Sequence, residues 1–259
     1  MKKINKSLFI ASLLIVCFAF TLLQTKPTLY IIGDSTVKNG NGKPENIQQG
    51  WGSWIDRYFD TTKLSIQNHA IGGRSSRTFL TEGRWDVILK TLQKGDYVMM
   101  QFGHNDSSPL DDTARARGTI KGIGEDSTEI YNPIRKMKEM VHTYGWYMRK
   151  FANDAKAKGA TVIICSPIPR FGFNKEGKIN KDIYATWSKQ VAEQTGSYFI
   201  PLNDLVIDTY EHMDTAVVRS YFPQDHTHTN KAGALINAQL VVKGLQQLKD
   251  CSLNEYIKK

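Results

Sequence analysis

Short apolar runs, each ending abruptly in small or polar residues, recur along the chain and alternate with stretches of helical periodicity. Leu29-Tyr30-Ile31-Ile32 stops at Gly33, the run within Asp96–Phe102 stops at Gly103, and Thr161–Ser166 stops at Pro167. Leu64–Ala70 and Ser197–Pro201 are shorter and also read as strands. Continuous apolar runs of this length suit strands covered on both faces, as in a parallel sheet. Between them, helical spacing is predicted from Trp51 to Phe59, Arg84 to Gln93, Trp146 to Lys158 and Lys181 to Thr195, with Gly159 and Gly196 as stops. Asn203 is expected to cap a helix through Tyr210, and Asn230 to start the last helix, through Leu248. Strand and helix in alternation predict an α/β protein with a parallel, doubly wound sheet. Lys38–Gln49, Pro167–Asn180 and Tyr221–Thr229 read as loops. Ser107–Glu129 is a polar insertion too long for an ordinary connection, followed by an extended piece near Met140–Tyr144.

The first apolar run differs from the rest. Lys2, Lys3 and Lys6 precede Leu8–Leu23, which carries no charge. Basic then apolar is the layout of an export leader, and the run is short for a membrane anchor. The chain therefore divides into 1–25, a signal peptide or N-terminal membrane segment, and 26–259, one domain, exported to the periplasm, cell surface or medium. Losing 1–25 takes the formal charge from +9 to +6 by removing three lysines and no acid. For an exported basic protein an acidic polysaccharide is a better-matched partner than nucleic acid. Cys165 and Cys251 remain, and the compartment permits but does not require a disulfide between them.

Chemistry concentrates where the expected strands end. Ser35 follows the first strand, at the edge where open α/β sheets hold ligands. A serine becomes nucleophilic when a base takes its proton and a third group orients that base. Asp225 and His228, three residues apart in the Tyr221–Thr229 loop, supply such a pair; His226 and His104 are the competing imidazoles. Donors for a developing oxyanion are available from the N–H groups of Ser35 and Gly73 and from the Asn105 amide. The competing reading of Gly33-Asp34-Ser35 is a turn in which the polar side chains bond nearby backbone. No metal-ligand cluster stands out beyond His226 and His228, and no cofactor motif is present.

Four stretches together, Gly33-Asp34-Ser35, Gly72-Gly73-Arg74-Ser75, Gly103-His104-Asn105-Asp106 and Asp225-His226-Thr227-His228, resemble the blocks of the SGNH, or GDSL, hydrolase family. The fuller strings, with Gly50-Trp51-Gly52 and Tyr221-Phe222-Pro223-Gln224 added, are similar to rhamnogalacturonan acetylesterases. The resemblance implies a flavodoxin-like three-layer α/β/α sandwich with a five-stranded parallel sheet. It also implies a serine esterase without cofactor that deacetylates pectin through Ser35, His228 and Asp225. Its oxyanion donors map onto Ser35, Gly73 and Asn105. Arg74, Arg77 and Arg170 flank the site loops and are candidates for binding uronate carboxylates; their alternative role is to fix loops by bonding carbonyls. The insertion at 107–129 and the doubled glycine at 72 and 73 depart from the family pattern. Other ester or thioester specificities, and a non-catalytic carbohydrate-binding protein, are the alternatives on the same scaffold.

Overall fold

In a computed structural model, which describes residues 26–258 apart from 39, 41, 42 and 44, the apolar runs are the strands of one sheet. The expected leader at 1–25 lies outside the described residues. In chain order the described strands are β1 (Thr28–Gly33), β2 (Ser65–Asn68), β3 (Tyr97–Gln101), β4 (Ser127–Asn132), β5 (Met137–His142), β6 (Thr161–Cys165) and β7 (Tyr198–Ile200). Five of them form the main sheet in the order β2-β1-β3-β6-β7, and every pairing is parallel. The described helices are α1 (Ser35–Lys38), α2 (Ser76–Thr81), α3 (Arg84–Leu89), α4 (Tyr144–Ala157), α5 (Ile183–Thr195), α6 (Leu202–Glu211), α7 (Thr215–Ser220) and α8 (Lys231–Gln246).

Successive residues of β1 point to opposite faces, which builds two separate cores. Leu29 and Ile31 pack with Trp51, Val206, Val241 and Leu245 under α6 and α8. Tyr30 and Ile32 pack with Phe79, Trp85, Met148 and Val191 under α2 to α5. Burying one such side chain contributes roughly 1.5–3 kcal/mol. The result is the expected three-layer sandwich. Among the described residues no helix is long and apolar enough to cross a membrane.

Several local expectations are corrected. Trp51–Phe59 forms two 3-10 turns, Trp51–Ser53 and Ile55–Tyr58, and not one α-helix, although Trp51, Trp54, Ile55 and Phe59 are core residues as their spacing implied. Asn203 lies inside α6 and is not its cap: Pro201 precedes the helix, and the Asn203 amide instead donates to the Pro167 carbonyl at 2.8 Å. Cys165 and Cys251 are separate, buried free thiols. The end of the polar insertion is β4, which pairs antiparallel with β5 in a hairpin outside the main sheet.

Arg77 explains how that hairpin and the insertion are held. Its side chain is fully buried. Nε donates to Glu139 Oε1 at 2.8 Å, and Nη1 donates to the carbonyls of Leu110 and Gly118 at 2.8 and 2.9 Å. Burial raises the Glu139 carboxyl, but bonds from Arg77 and Asn132 outweigh it and hold the group below its ordinary pKa. Arg77 thus joins α2, the insertion and β5 from inside. The expectation that it reads substrate is corrected to the loop-fixing role.

Removing one partner of a buried ion pair leaves an uncompensated charge and typically costs about 3–5 kcal/mol. Arg77→Met should therefore lower the unfolding free energy in urea by that order, and a loss under about 1 kcal/mol would show that the insertion is held by other contacts.

Candidate active site

β1 ends in Gly33 because nothing larger fits: a Cβ there would lie 2.6 Å from both the Gln101 carbonyl and Val37 Cγ2. The chain then turns directly into α1, whose first residue is Ser35. N–H groups in the first turn of a helix have no intrahelical acceptor, which leaves that of Ser35 open to a ligand. Asp34 behaves partly as the turn reading expects, since its Oδ1 accepts from Thr36 N and Oγ1 at 2.8 and 2.7 Å. Ser35 does not. Its Oγ lies 2.7 Å from His228 Nε2, across 193 residues of sequence.

His228 Nδ1 lies 2.6 Å from Asp225 Oδ2, completing a continuous Ser35–His228–Asp225 contact. The carboxylate is itself fixed: Oδ1 accepts from the Thr227 and His228 N–H groups, both at 2.7 Å, and Oδ2 accepts from Gln48 Nε2 at 3.2 Å. Partial burial raises the Asp225 pKa, but the His228 side chain and these backbone donors outweigh it and hold the group at about 2. The loop carrying the pair is tied to the loop after α1 by Gln49 N to the Thr229 carbonyl, 2.7 Å, and by Thr229 Oγ1 to the Gln49 carbonyl, 3.0 Å.

The competing histidines are engaged elsewhere. His226 stacks against Phe171, with ring centroids 6.1 Å apart. His104 is buried, with Nδ1 3.1 Å from Asp34 Oδ2 and Nε2 3.0 Å from the Ile168 carbonyl. Asn105 Nδ2 donates to the Arg74 carbonyl at 2.9 Å, which fixes the amide and leaves its second proton. Gly73, at φ 76°, adopts a left-handed conformation that side chains resist. Ser35, Gly73, Asn105 and His228 all line one cleft of about 690 Å³.

Of the expected substrate-binding arginines, Arg74 and Arg170 line this cleft and Arg77 does not. Arg74 is paired with Glu82 at 3.0 Å, while Arg170 donates to Thr227 Oγ1 and, at 3.0 Å, to the His104 carbonyl. The cleft also contains Gln48, Arg115 and Arg117, which the sequence reading did not single out. The Arg115-Ala116-Arg117 pair of like charges inside the polar insertion was the available signal. Among the described residues no group of three or more His, Cys, Asp or Glu side chains converges in the manner of a metal site.

Residues 31–236 match the model of the GDSL-like lipase/acylhydrolase family. The chain belongs to that family. It is 31% identical to a rhamnogalacturonan acetylesterase of Emericella nidulans, over 84% of this chain and 84% of the relative. It is 32% identical to a probable rhamnogalacturonan acetylesterase of Bacillus subtilis, YesY, over 85% of this chain and 93% of the relative. Among solved structures, the Bacillus subtilis protein YxiM superposes with a TM-score of 0.70 at 28% identity, over 88% of this chain but 58% of that longer one. An acetylxylan esterase of Geobacillus stearothermophilus shares the GDSL-family fold at a TM-score of 0.57 and 17% identity, over 85% of this chain and 94% of that one.

Behind the cleft sits a carboxyl of unusual character. Asp106 is wholly buried; Oδ1 accepts from the Ser76 N–H at 3.1 Å and from its hydroxyl, while Oδ2 meets no donor. Burial pushes its pKa up to about 7, more than the Ser76 bonds lower it, and the Asp34 charge adds to the rise. An unfolded aspartate releases its proton near pH 4. The unfolded chain thus binds fewer protons between about pH 4 and 7, and the protein loses stability as pH rises through that window. Asp106→Asn removes this ionisation, so its stability relative to the wild type should improve from pH 4 to pH 8 in urea titrations; a pH-independent difference would mean that Asp106 ionises normally.

Proposed function

We propose that the protein is a serine esterase that removes acetyl groups from an acidic, pectic polysaccharide, with Ser35, His228 and Asp225 as its catalytic triad. The observation that carries this reading is the continuous contact from Ser35 Oγ through His228 to Asp225, 2.7 and 2.6 Å, opening on the cleft. The names of the two similar relatives supply the substrate class, and the leader-like segment at 1–25 supports export to where such polymers occur.

In the proposed cycle Ser35 Oγ attacks the acetyl carbonyl carbon while its proton passes to His228 Nε2. Asp225, bonded to Nδ1, stabilises the imidazolium that forms. The carbonyl oxygen, now negative, receives the N–H groups of Ser35 and Gly73 and the free amide proton of Asn105. His228 then returns its proton to the departing sugar oxygen, leaving an acetyl ester on Ser35. Water enters, loses a proton to His228 and attacks that ester, and acetate leaves as Ser35 regains its proton.

Ser35→Ala and His228→Ala should each lower turnover of 4-nitrophenyl acetate by about four orders of magnitude or more, and Asp225→Asn by about ten thousandfold. Unchanged turnover in the first two variants would overturn the assignment, and a dead His226→Ala beside an active His228→Ala would move the base. Asn105→Ala should cut kcat about a hundred- to a thousandfold with little change in KM; a loss confined to KM would make Asn105 a ground-state binding group. Because Asp225 is held at about 2, it stays ionised from pH 4 upward. Protonation of Asp225 should then contribute nothing to the acidic limb of the kcat/KM profile above pH 4, and an Asp225 carboxyl carbon-13 resonance that titrates above pH 4 would contradict the low value.

A further inference from the structure

The insertion brings two guanidinium groups to the cleft, and among the described residues neither stands in ion-pair contact with a carboxylate. Arg117 is anchored: Nε donates to Ser108 Oγ at 3.0 Å and Nη1 to the Gly73 carbonyl at 3.2 Å. Arg115 lies beside it, its Nη1 only 3.3 Å from where a Cβ on Gly73 would stand. The turn that presents them is built for the purpose by Asp112, whose carboxylate accepts from the N–H groups of Ala114, Arg115 and Ala116 at 3.0, 2.8 and 2.9 Å. Ala116 sits between the two arginines, buried and at φ 43°, a conformation an alanine adopts only when its surroundings impose it.

Among the described residues neither Arg115 nor Arg117 forms an ion pair with a carboxylate, in contrast to Arg74 with Glu82 and Arg77 with Glu139. Burial and the neighbouring Arg115 charge hold the Arg117 pKa below the ordinary arginine value, against the opposing pull of Asp112, Asp106 and Asp34. An anion in the cleft offsets both guanidinium charges at closer range. The planar guanidinium fork matches a carboxylate with two parallel hydrogen bonds, and both arginines stand against Gly73 in the cleft that Ser35 also lines.

We propose that Arg115 and Arg117 form a carboxylate-binding subsite, supplied by the 107–129 insertion, that selects acetylated substrates carrying a uronate on the esterified sugar or its neighbour. This subsite rests on the esterase reading for its place in a reaction, while its affinity for a uronate stands apart from turnover.

The test uses the full-length protein in two arms. In the first, kcat/KM is measured on acetylated galacturonate-containing oligosaccharides and on the same fragments after reduction of their carboxyl groups. The wild type should prefer the acidic set, and Arg115→Gln should reduce that preference about tenfold or more, the scale of a charge-assisted hydrogen bond. Arg117→Lys keeps the charge but loses the fork, and should give an intermediate preference. The preference should also shrink between 0.1 and 1 M salt, as the Debye length falls from about 10 to about 3 Å. In the second arm, trigalacturonate is titrated calorimetrically into Ser35→Ala protein with and without Arg115→Gln. Binding should weaken about tenfold or more in the double variant. A preference unchanged by Arg115→Gln, or an equal Kd in the two titrations, overturns the subsite. A wild type that hydrolyses no acetyl ester would sink the esterase reading and leave the titration to decide the subsite. The Arg115 side chain makes no hydrogen bond or ion pair with the rest of the described protein, and an unchanged circular dichroism spectrum will show that Arg115→Gln preserves the fold.

Discussion

The site depends on one buried carboxylate. Asp34 is inaccessible to solvent, and its two oxygens are shared between Thr36 on one side and His104 on the other. From Thr36 the network continues to Gln101 Nε2 at 2.7 Å, and from Gln101 Oε1 to Trp51 Nε1 at 2.9 Å. From His104 it reaches the Ile168 carbonyl. The ends of β1, β3 and β6, together with the first 3-10 turn, are thereby fastened to a single group directly behind Ser35. Burial works against the Asp34 charge, but His104 and the Thr36 donors outweigh it and keep the carboxyl below its ordinary pKa. A half-satisfied network at this depth would cost more than an apolar one, so every member constrains its neighbours. That constraint explains why Gln101, Trp51 and His104 accompany the Gly33-Asp34-Ser35 turn although none of them belongs to the proposed Ser35–His228–Asp225 triad.

What could be read from the sequence was governed by how local each interaction is. The sheet was legible because its strands are continuous apolar runs, and the Asp225–His228 contact because it spans three residues of one loop. Ser35 was legible from its place at a strand end. Helix type at Trp51–Phe59 was not, since the spacing of Trp51, Trp54, Ile55 and Phe59 buries the same side chains in a 3-10 path as in an α-helix. Asn203 looked like a cap because its residue type suits one, but its partner is Pro167, 36 positions away. Gln48, Arg115 and Arg117 reach the cleft only through tertiary folding of polar segments; the paired charges of Arg115 and Arg117 were a signal, but their spacing does not say which way they point. Arg77 misled for the converse reason: next to the site in sequence, it points inward, toward Glu139.

The insertion and hairpin form a second layer of construction around a shared sheet. β4 and β5 pair with each other and not with the main sheet, and the outward face of the hairpin leaves Tyr131 and Met140 exposed. Arg77 and Glu139 attach the two strands as a buried pair, with the carbonyls of Leu110 and Gly118 as additional acceptors, and the His142 carbonyl accepts from the Ile120 N–H at 3.0 Å. Such buried pairs contribute less to stability than their geometry suggests, because both charges lose their hydration on burial. The bonds from Arg77 to Leu110 and Gly118 hold the two ends of the segment that carries Arg115 and Arg117. The elements of the main sheet and its loops therefore hold the proposed triad, and a separate, ion-pair-anchored element holds the cationic rim.

Three aspartates in and around the site show how donor count sorts them. Asp225 has donors for both oxygens and is held at about 2. Asp34 is fully buried but also served at both oxygens, and stays below its ordinary value. Asp106 is equally buried, has one oxygen without a donor, and rises to about 7. Burial is common to the last two, so the difference lies in their partners: Asp34 has the His104 charge and donors at both oxygens, whereas Asp106 has one unserved oxygen and the Asp34 charge nearby. The consequence for the cleft is a division of charge. Ionised carboxylate stands behind His228, where the proposed cycle develops positive charge, while the Gly73 side, where it develops negative charge, carries N–H donors and arginines. Glu82 is the acid on that wall, and Arg74 and Arg84 both contact it. A field so arranged opposes neither charge that forms during the proposed acyl transfer, and it is fixed before any substrate arrives.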